Sequence, residues 1–154
     1  MFIEDIGLQS IGKVIELIRK YVNENNVKFI AIDYLQLMRD SIMTEIRMKN
    51  ILRQLKQISK ELKITILITS QLSRAPEEID DCRPNINNLR NKEDILKYAD
   101  IIMLLYREKD FYKNSEKRDR AEVIIIQNDV DKIIEIIFEG KYSRFKNFKE
   151  WVLL

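Results

Sequence analysis

Histidine is absent from this 154-residue chain, and cysteine occurs once, at Cys82. The first absence excludes every catalytic or metal site that needs imidazole, and a lone thiol excludes an internal disulfide, so we expect a reducing, cytoplasmic compartment. With only three glycines and two prolines, collagen-like and low-complexity chains are excluded as well. No apolar run approaches the roughly 18 residues of a membrane span. Glu4 and Asp5 stand where a secretory signal carries basic residues, so we expect no targeting segment.

Neither sign of charge is in large excess, because the chain has 27 Lys and Arg residues and 25 Asp and Glu residues. A net charge of +2 argues against one continuous basic face for nucleic acid, but it leaves a local basic loop open. The 45% of hydrophobic residues is typical of a globular protein. The length predicts one domain over residues 1–154.

Hydrophobic periodicity predicts an α/β fold with a mostly parallel sheet flanked by helices and a carboxy-terminal antiparallel hairpin. Strands are expected at 2–3, 27–33, 64–69 and 100–106, and the hairpin at 123–126 and 133–138. The segment 27–33 is apolar almost throughout, which is typical of a central strand buried on both faces. Helices are expected from Ser10 to about Asn26, over 44–62 and over 91–99.

The segment 7–13 matches the phosphate-loop pattern G-x-x-x-x-G-K. In such a loop the residue after the lysine supplies a hydroxyl group to Mg²⁺, but here it is Val14. The apolar stripe of the first helix also begins at Ile11, inside the match. A helix start is therefore favoured over a phosphate loop.

Polar side chains end two neighbouring strands. Asp33 closes the strand 27–33, and Ser70 and Gln71 follow the strand 64–69. Ligands of open α/β sheets bind beyond the carboxyl ends of the strands, where a carboxylate can hold the water shell of Mg²⁺ and a glutamine can contact a terminal phosphate. The alternative is that Asp33 caps the next element and that Ser70 and Gln71 only satisfy loop backbone groups.

These residues resemble the carboxy-terminal motor domain of bacterial replicative helicases of the DnaB type. The likeness is carried in order by 32–38 (IDYLQLM), 55–56, 60–62, 70–74 (SQLSR), 83–84, 89–90, 99–101, 105–107 (LYR), 121–122 and 140–145 (GKYSRF). The resemblance spans almost the whole chain. It implies a RecA-like fold, a ring of six subunits, ATP hydrolysis between subunits and movement along single-stranded DNA.

The resemblance also implies roles for single residues. Asp33 matches the aspartate that holds the Mg²⁺ shell of ATP. Gln71 matches a glutamine that senses the γ-phosphate and relays its state to the DNA loops. Arg90 matches an arginine of the central channel that contacts the DNA backbone, and Arg83 and Arg74 flank the same loop. Contacts of that kind need positive charge but little base-specific geometry.

The chain also departs from the family pattern. By the resemblance, it begins after the family's phosphate loop and catalytic glutamate, and the segment 127–132 (QNDVDK) replaces the one that carries the arginine finger. Asn91 and Glu93 replace an acidic residue and a glycine after the channel arginine, and a glutamate beside DNA phosphates is unfavourable. We therefore expect that this chain alone does not hydrolyse ATP and that its DNA binding is weak.

Three functions remain open on the sequence alone. The first is a piece of an ATP-driven replicative DNA helicase, which acts only with other parts of the motor. The second is a non-catalytic interaction protein that docks on intact helicase subunits or a loader, and the third is a module that binds single-stranded DNA. The expected partners are weakly bound single-stranded DNA and other helicase subunits or a homo-oligomer. An ATPase assay, co-purification with an intact helicase and a titration with single-stranded DNA separate them.

Overall fold

A computed structural model describes residues 1–5, 7, 9–38, 44–72, 83–112, 119–127 and 130–148. The backbone contacts divide the chain into two compact units. Unit 1 comprises Met1–Ser73 and Leu89–Ala99, and unit 2 comprises Arg74–Asn88 and Asp100–Leu154. The single domain expected over residues 1–154 stays a prediction.

Unit 1 combines helices with a parallel pair of strands. Its described elements are α1 (Ile11–Asn25), β1 (Phe29–Ile32), α2 (Thr44–Leu62), β2 (Thr65–Ile68) and α3 (Lys92–Tyr98). The helices agree with the sequence prediction within one or two residues, and both strands lie inside their predicted ranges. No helix in the described part of the chain is both long enough and apolar enough to cross a bilayer.

Helix α1 begins and ends at residues suited to those positions. The Ser10 side chain accepts a hydrogen bond from the Lys13 backbone N–H at 3.3 Å, and Asn26 closes the helix in the left-handed conformation at φ 52°. Asparagine tolerates that conformation better than most residues. Lys13 lies within the helix and pairs with Glu16 at 2.9 Å, so the predicted helix start is confirmed.

The amino-terminal segment is not a strand, and the prediction for 2–3 is wrong. Residues 1–5 have no strand partner among the described residues, and a strand needs one to satisfy its backbone groups. The segment instead contacts α1 at Tyr21. The Phe2 ring lies 5.0 Å from the Tyr21 ring, and the Tyr21 hydroxyl donates to the Glu4 carboxylate.

Strands β1 and β2 pair in parallel, with Ile32 opposite Ile68. Their side chains alternate between an exposed face and a half-buried face. The exposed face carries Phe29 and Leu67, which are 57% and 38% exposed. The prediction that the strand 27–33 is buried on both faces is therefore wrong, because within the described residues only one face of β1 is packed.

The core of unit 1 is built mainly by α2. One stripe of that helix is almost completely buried, and it is joined by apolar residues of α1, α3 and the connecting turns: Ile51, Leu52, Leu55, Ile58, Ile11, Ile18, Leu35, Met38, Ile64, Leu89 and Ile95. Full burial of one such side chain contributes about 1.5–3 kcal/mol. The core therefore fixes the turns that follow β1 and precede α3.

Unit 2 is an antiparallel sheet in the order β3 (Ile102–Tyr106), β4 (Arg120–Gln127), β5 (Val130–Glu139) and β6 (Arg144–Asn147). The hairpin expected near the carboxyl end is present as β4 and β5, both longer than predicted. The antiparallel part is larger than expected, because β3 joins the hairpin and β6 adds a further strand. The α/β class, with a parallel pair and an antiparallel hairpin, is confirmed.

Candidate functional site

The carboxyl ends of β1 and β2 form one edge. The parallel register continues past both strands, because the Thr69 N–H donates to the Ile32 carbonyl at 3.1 Å and the Leu35 N–H donates to the Thr69 carbonyl at 2.9 Å. Asp33 therefore lies beside Thr69 at the strand ends. The edge is the place where ligands of α/β sheets bind.

The Asp33 carboxylate is exposed at this edge. Its Oδ1 accepts a hydrogen bond from the Thr69 hydroxyl at 2.5 Å. A carboxylate has about four lone-pair positions, so this bond orients Asp33 and leaves capacity for water or a cation. The peptide bond between Asp33 and Tyr34 is cis.

A second contact joins the segments that follow the two strands. Gln36 lies in the single 3-10 turn Leu35–Leu37 after β1. Its Nε2 donates to the Ser70 hydroxyl at 2.9 Å, and its Oε1 accepts from the Gln71 backbone N–H at 3.4 Å. Gln71 is thereby held at the same edge as Asp33, with its side chain exposed.

Backbone pairing joins the segment after β2 to a turn that carries an arginine. Leu72 forms an isolated antiparallel β-bridge with Leu89. Arg90 follows directly in an exposed turn, and Asn91 leads into α3 in the left-handed conformation at φ 59°. Arg90 is thus one residue beyond the backbone that pairs with the Gln71 segment.

The other two arginines of the sequence prediction stand differently. Arg83 belongs to unit 2, where its guanidinium pairs with the Glu122 carboxylate at 2.9 Å and lies 5.6 Å from the centre of the Tyr106 ring. Its role towards DNA stays a prediction. Arg74 lies outside the described residues.

The sequence profile of the DnaB-like helicase C-terminal domain family matches residues 1–147. This chain belongs to that family. The resemblance stated from the motifs is confirmed, and the chain is similar to the carboxy-terminal domain of replicative DnaB-type helicases.

Curated relatives carry the name replicative DNA helicase DnaB. The protein of Haemophilus influenzae is 35% identical over 156 aligned residues, which cover 97% of this chain and 33% of that protein. The protein of Buchnera aphidicola subsp. Acyrthosiphon pisum is 34% identical over 154 residues, which cover 96% of this chain and 34% of that protein. The chain therefore spans about a third of the length of these relatives.

Solved structures agree on the fold. A DnaB-like replicative helicase, described with its interactions with primase, matches with a TM-score of 0.83 at 30% identity over 92% of this chain and 35% of that chain. A second solved structure, described as an ATPase domain, matches with a TM-score of 0.78 at 29% identity over 92% of this chain and 52% of that chain. The RecA-like α/β architecture of a helicase ATPase domain is thereby confirmed.

The edge of this DnaB-like domain fits a magnesium ion that is held through water. Within the described ranges no group of three or more acidic or cysteine side chains gathers, so the edge has no all-protein cage. Mg²⁺ usually keeps several waters and takes one or two carboxylates together with phosphate oxygens. Asp33 is the residue of this edge that could supply the carboxylate.

Sequence reasoning missed two residues of this edge, Thr69 and Gln36. The apolar pattern places Thr69 at the end of a strand, and Gln36 enters only as part of the family motif. A signal existed, because both are polar residues within four positions of a strand end. Their hydrogen-bond partners lie more than 30 residues away, and no local pattern identifies such pairs.

Proposed function

We propose that this chain is the carboxy-terminal part of the ATP-driven motor domain of a replicative DNA helicase. Family membership supports a role in DNA replication. The observation that carries the proposal is the shared edge. Asp33 and the Ser70–Gln71 segment follow adjacent parallel strands, where Thr69 hydrogen-bonds Asp33 and Gln36 hydrogen-bonds the Ser70–Gln71 segment. The alternative of isolated capping residues does not require the two segments to meet.

In this proposal Asp33 holds the water shell of Mg²⁺ on ATP, and Gln71 contacts the terminal phosphate. A magnesium ion bound there supplies neutralisation of the charge that develops on the phosphates. Thr69 keeps the Asp33 carboxylate oriented, and Gln36 keeps the Gln71 backbone at the edge. In this proposal Asp33 and Gln71 act by holding the ligand in position and not by transferring a proton.

We further propose that the 154 residues do not hydrolyse ATP by themselves. A phosphate loop needs a lysine and a neighbouring hydroxyl. The one sequence match, 7–13, ends with Gly12 and Lys13 in the first turn of α1 and has Val14 in place of the hydroxyl residue. The segment after β4 also lacks an arginine that could reach a neighbouring subunit. An arginine finger contributes about 10³–10⁵ in rate, so its loss weakens hydrolysis in a partner subunit as well.

The proposed partners are single-stranded DNA and other helicase subunits, arranged as a ring of six by the family resemblance, in the cytoplasm. Arg90 is the proposed contact to the DNA backbone, because it is exposed in a turn fixed by the Leu72–Leu89 bridge. Arg83 and Arg74, which come before Arg90 in the sequence, are proposed as further contacts to the DNA backbone. Glu93 lies in the first turn of α3, where a carboxylate interacts favourably with the helix dipole.

Binding of single-stranded DNA tests the DNA part of the proposal. The measurement is fluorescence anisotropy of a labelled oligothymidine with the whole chain at several salt concentrations. Loss of one phosphate contact lowers the salt slope by about 0.7, which corresponds to roughly fivefold weaker binding near 0.1 M salt. We expect Arg90→Ala to show that loss.

Arg53→Ala is the matched control, because it removes the same charge from the exposed surface of α2. We expect its affinity to stay close to that of the parent chain. Equal weakening by both variants would mean that binding follows net charge alone. A complete lack of binding at low salt would contradict the DNA role.

A non-catalytic docking role is the second candidate. The observation that favours it is the exposed apolar face of β1 and β2, with Phe29 and Leu67 exposed on adjacent strands. Large exposed apolar patches mark interaction surfaces more often than chance. In this interpretation the chain binds helicase subunits without contributing to a working ATP site.

A further inference from the structure

The Gln36 amide uses both of its ends on one neighbouring segment. Its nitrogen donates to the Ser70 hydroxyl at 2.9 Å, and its oxygen accepts from the Gln71 backbone at 3.4 Å. Leu35, the preceding residue, is 2% exposed, and its N–H bonds to the Thr69 carbonyl at 2.9 Å. Gln36 is therefore a fixed point, because its turn is anchored in the core and in the sheet edge.

The Ser70–Gln71 segment has less support of its own. Neither residue lies in a helix or a strand, and the described backbone resumes pairing only at Leu72, in a single bridge to Leu89. Leu89 is buried, and Arg90 follows it directly. A displacement of Ser70 and Gln71 would thus be passed to Leu72, and through the bridge to the turn of Arg90.

We propose that Gln36 is a positioning residue, which holds the Ser70–Gln71 segment in place and thereby sets the position of the Arg90 turn. The coupling path is Gln36, the Ser70–Gln71 segment, the Leu72–Leu89 bridge and Arg90. This inference rests on the proposed function for the roles of the nucleotide edge and of Arg90. The contacts that join Gln36 to the Arg90 turn lie within unit 1. Gln36 touches neither proposed ligand directly and acts through the backbone of Gln71.

The test replaces Gln36 with methionine, which keeps the length of the side chain and removes both hydrogen bonds. Hydrogen exchange of the backbone amides over residues 89–91 is the first measurement. We expect Gln36→Met to accelerate exchange there and to leave exchange in the middle of α1 unchanged. Gln57→Met, on the exposed surface of α2, is the matched control and should change neither region.

Gln36→Glu separates a specific role from general packing. A carboxylate at this position accepts from the Gln71 N–H and from the Ser70 hydroxyl, whose proton can rotate towards it. We expect this variant to restore slow exchange at residues 89–91. Acceleration as large as that of the methionine variant would overturn the proposal, because the side-chain acceptor would then have no effect.

Binding of the labelled oligothymidine gives a second readout. We expect Gln36→Met to weaken binding by about the same factor as Arg90→Ala, roughly fivefold near 0.1 M salt. The double variant should be no weaker than either single variant, because Gln36 acts through the position of Arg90. Independent, multiplying effects of the two changes would contradict the coupling.

The two readouts distinguish failure of this inference from failure of the proposed function. Unchanged exchange at residues 89–91 in Gln36→Met overturns the inference even where DNA binds and depends on Arg90. Accelerated exchange without any DNA binding supports the coupling and contradicts the DNA role. If Gln36→Met does not fold, Ser70→Ala removes one of the two bonds and must accelerate exchange at the same residues, or the inference is wrong.

Discussion

At the scale of single residues, Glu122 is the one buried charged residue among the described residues of unit 2. It is 9% exposed, and it accepts a hydrogen bond from Arg83 at 2.9 Å. A buried carboxylate costs several kcal/mol unless it is paired and hydrogen-bonded. The Arg83 guanidinium also lies over the Tyr106 ring, which adds a cation–π contact.

Replacement of Arg83 with alanine should therefore destabilise the chain. The expected loss is about 2 kcal/mol in the free energy of unfolding, because a hydrogen bond to a charged group is removed and the carboxylate stays buried. Thermal or urea unfolding followed by circular dichroism measures it. Arg83→Lys keeps the charge and should recover part of the loss.

Arg120→Ala is the control for this prediction, since Arg120 pairs with Glu135 at 3.8 Å and both side chains are over 40% exposed. Exposed pairs contribute little to stability. An Arg83→Ala variant as stable as Arg120→Ala would show that the Arg83–Glu122 pair does not contribute to the free energy of unfolding. The DNA role of Arg83 would then be the simpler account of the residue.

Sequence alone predicts a DNA role for Arg83 and does not predict its pairing with Glu122. A basic residue in a polar loop is compatible with a DNA contact, and the resemblance implies that role for Arg83. The partner, Glu122, lies 39 positions along the chain in β4. Only the fold brings the two together, and a local pattern carries no information about such a pair.

At the scale of elements, one ion pair joins the two long helices of unit 1. Arg19 of α1 donates from both terminal nitrogens to the Glu61 carboxylate of α2, at 2.6 and 2.8 Å. The hydrogen bond from Arg19 lowers the pKa of Glu61 below its ordinary value of 4.5, against a smaller opposing effect of desolvation. Bidentate geometry is the strongest form of this interaction.

The pair predicts a dependence of stability on pH. A carboxyl group whose pKa is lowered on folding adds stability above its ordinary pKa, and this contribution is lost as pH falls through the lowered value. The melting temperature of the parent chain should therefore exceed that of Glu61→Gln near neutral pH. The difference should shrink as pH falls below about 4.5.

Glu16→Gln is the matched control, because it removes an exposed carboxylate from α1 without touching the contact between the helices. Both side chains of the Arg19–Glu61 pair are about half exposed, so high salt should also reduce the effect. A difference between Glu61→Gln and the parent chain that stays constant from neutral to acidic pH would contradict the assignment.

The elements themselves were largely predictable. Helix α2 follows from its 3.6-residue apolar spacing, and the serine and asparagine at the ends of α1 mark its bounds. Strand β6 was missed, because Arg144–Asn147 contains only one apolar residue and is exposed throughout. Its pairing with β5 depends on the tertiary fold and not on the local sequence. The same holds for residues 2–3, which do not form a strand.

At the scale of the whole molecule, the chain spans about a third of the relatives that it matches. We expect no sustained ATP turnover by the isolated chain, with or without single-stranded DNA. A coupled assay of phosphate release measures this, with an intact DnaB-type helicase as the positive control. Turnover that survives Asp33→Asn would point to a contaminating enzyme, whereas turnover abolished by that change would contradict the expectation.

The docking alternative is tested on the same scale by co-elution with an intact DnaB-type helicase in size-exclusion chromatography. Leu67→Thr reduces the exposed apolar face of β2 and keeps a residue suited to strands. We expect this variant to co-elute less if the face is the docking surface. Equal co-elution of parent and variant would place docking elsewhere, and no co-elution of either would contradict the role.

The parallel register of β1 and β2 limits where residues can be inserted or deleted near β2. Successive residues of a strand point to opposite sides, so one residue inserted between Thr65 and Thr69 would turn the threonine hydroxyl away from its aspartate. An insertion in the turn at Lys63, before β2 begins, would leave that phase intact. Natural relatives that gain or lose residues here should do so on the helix side of Thr65.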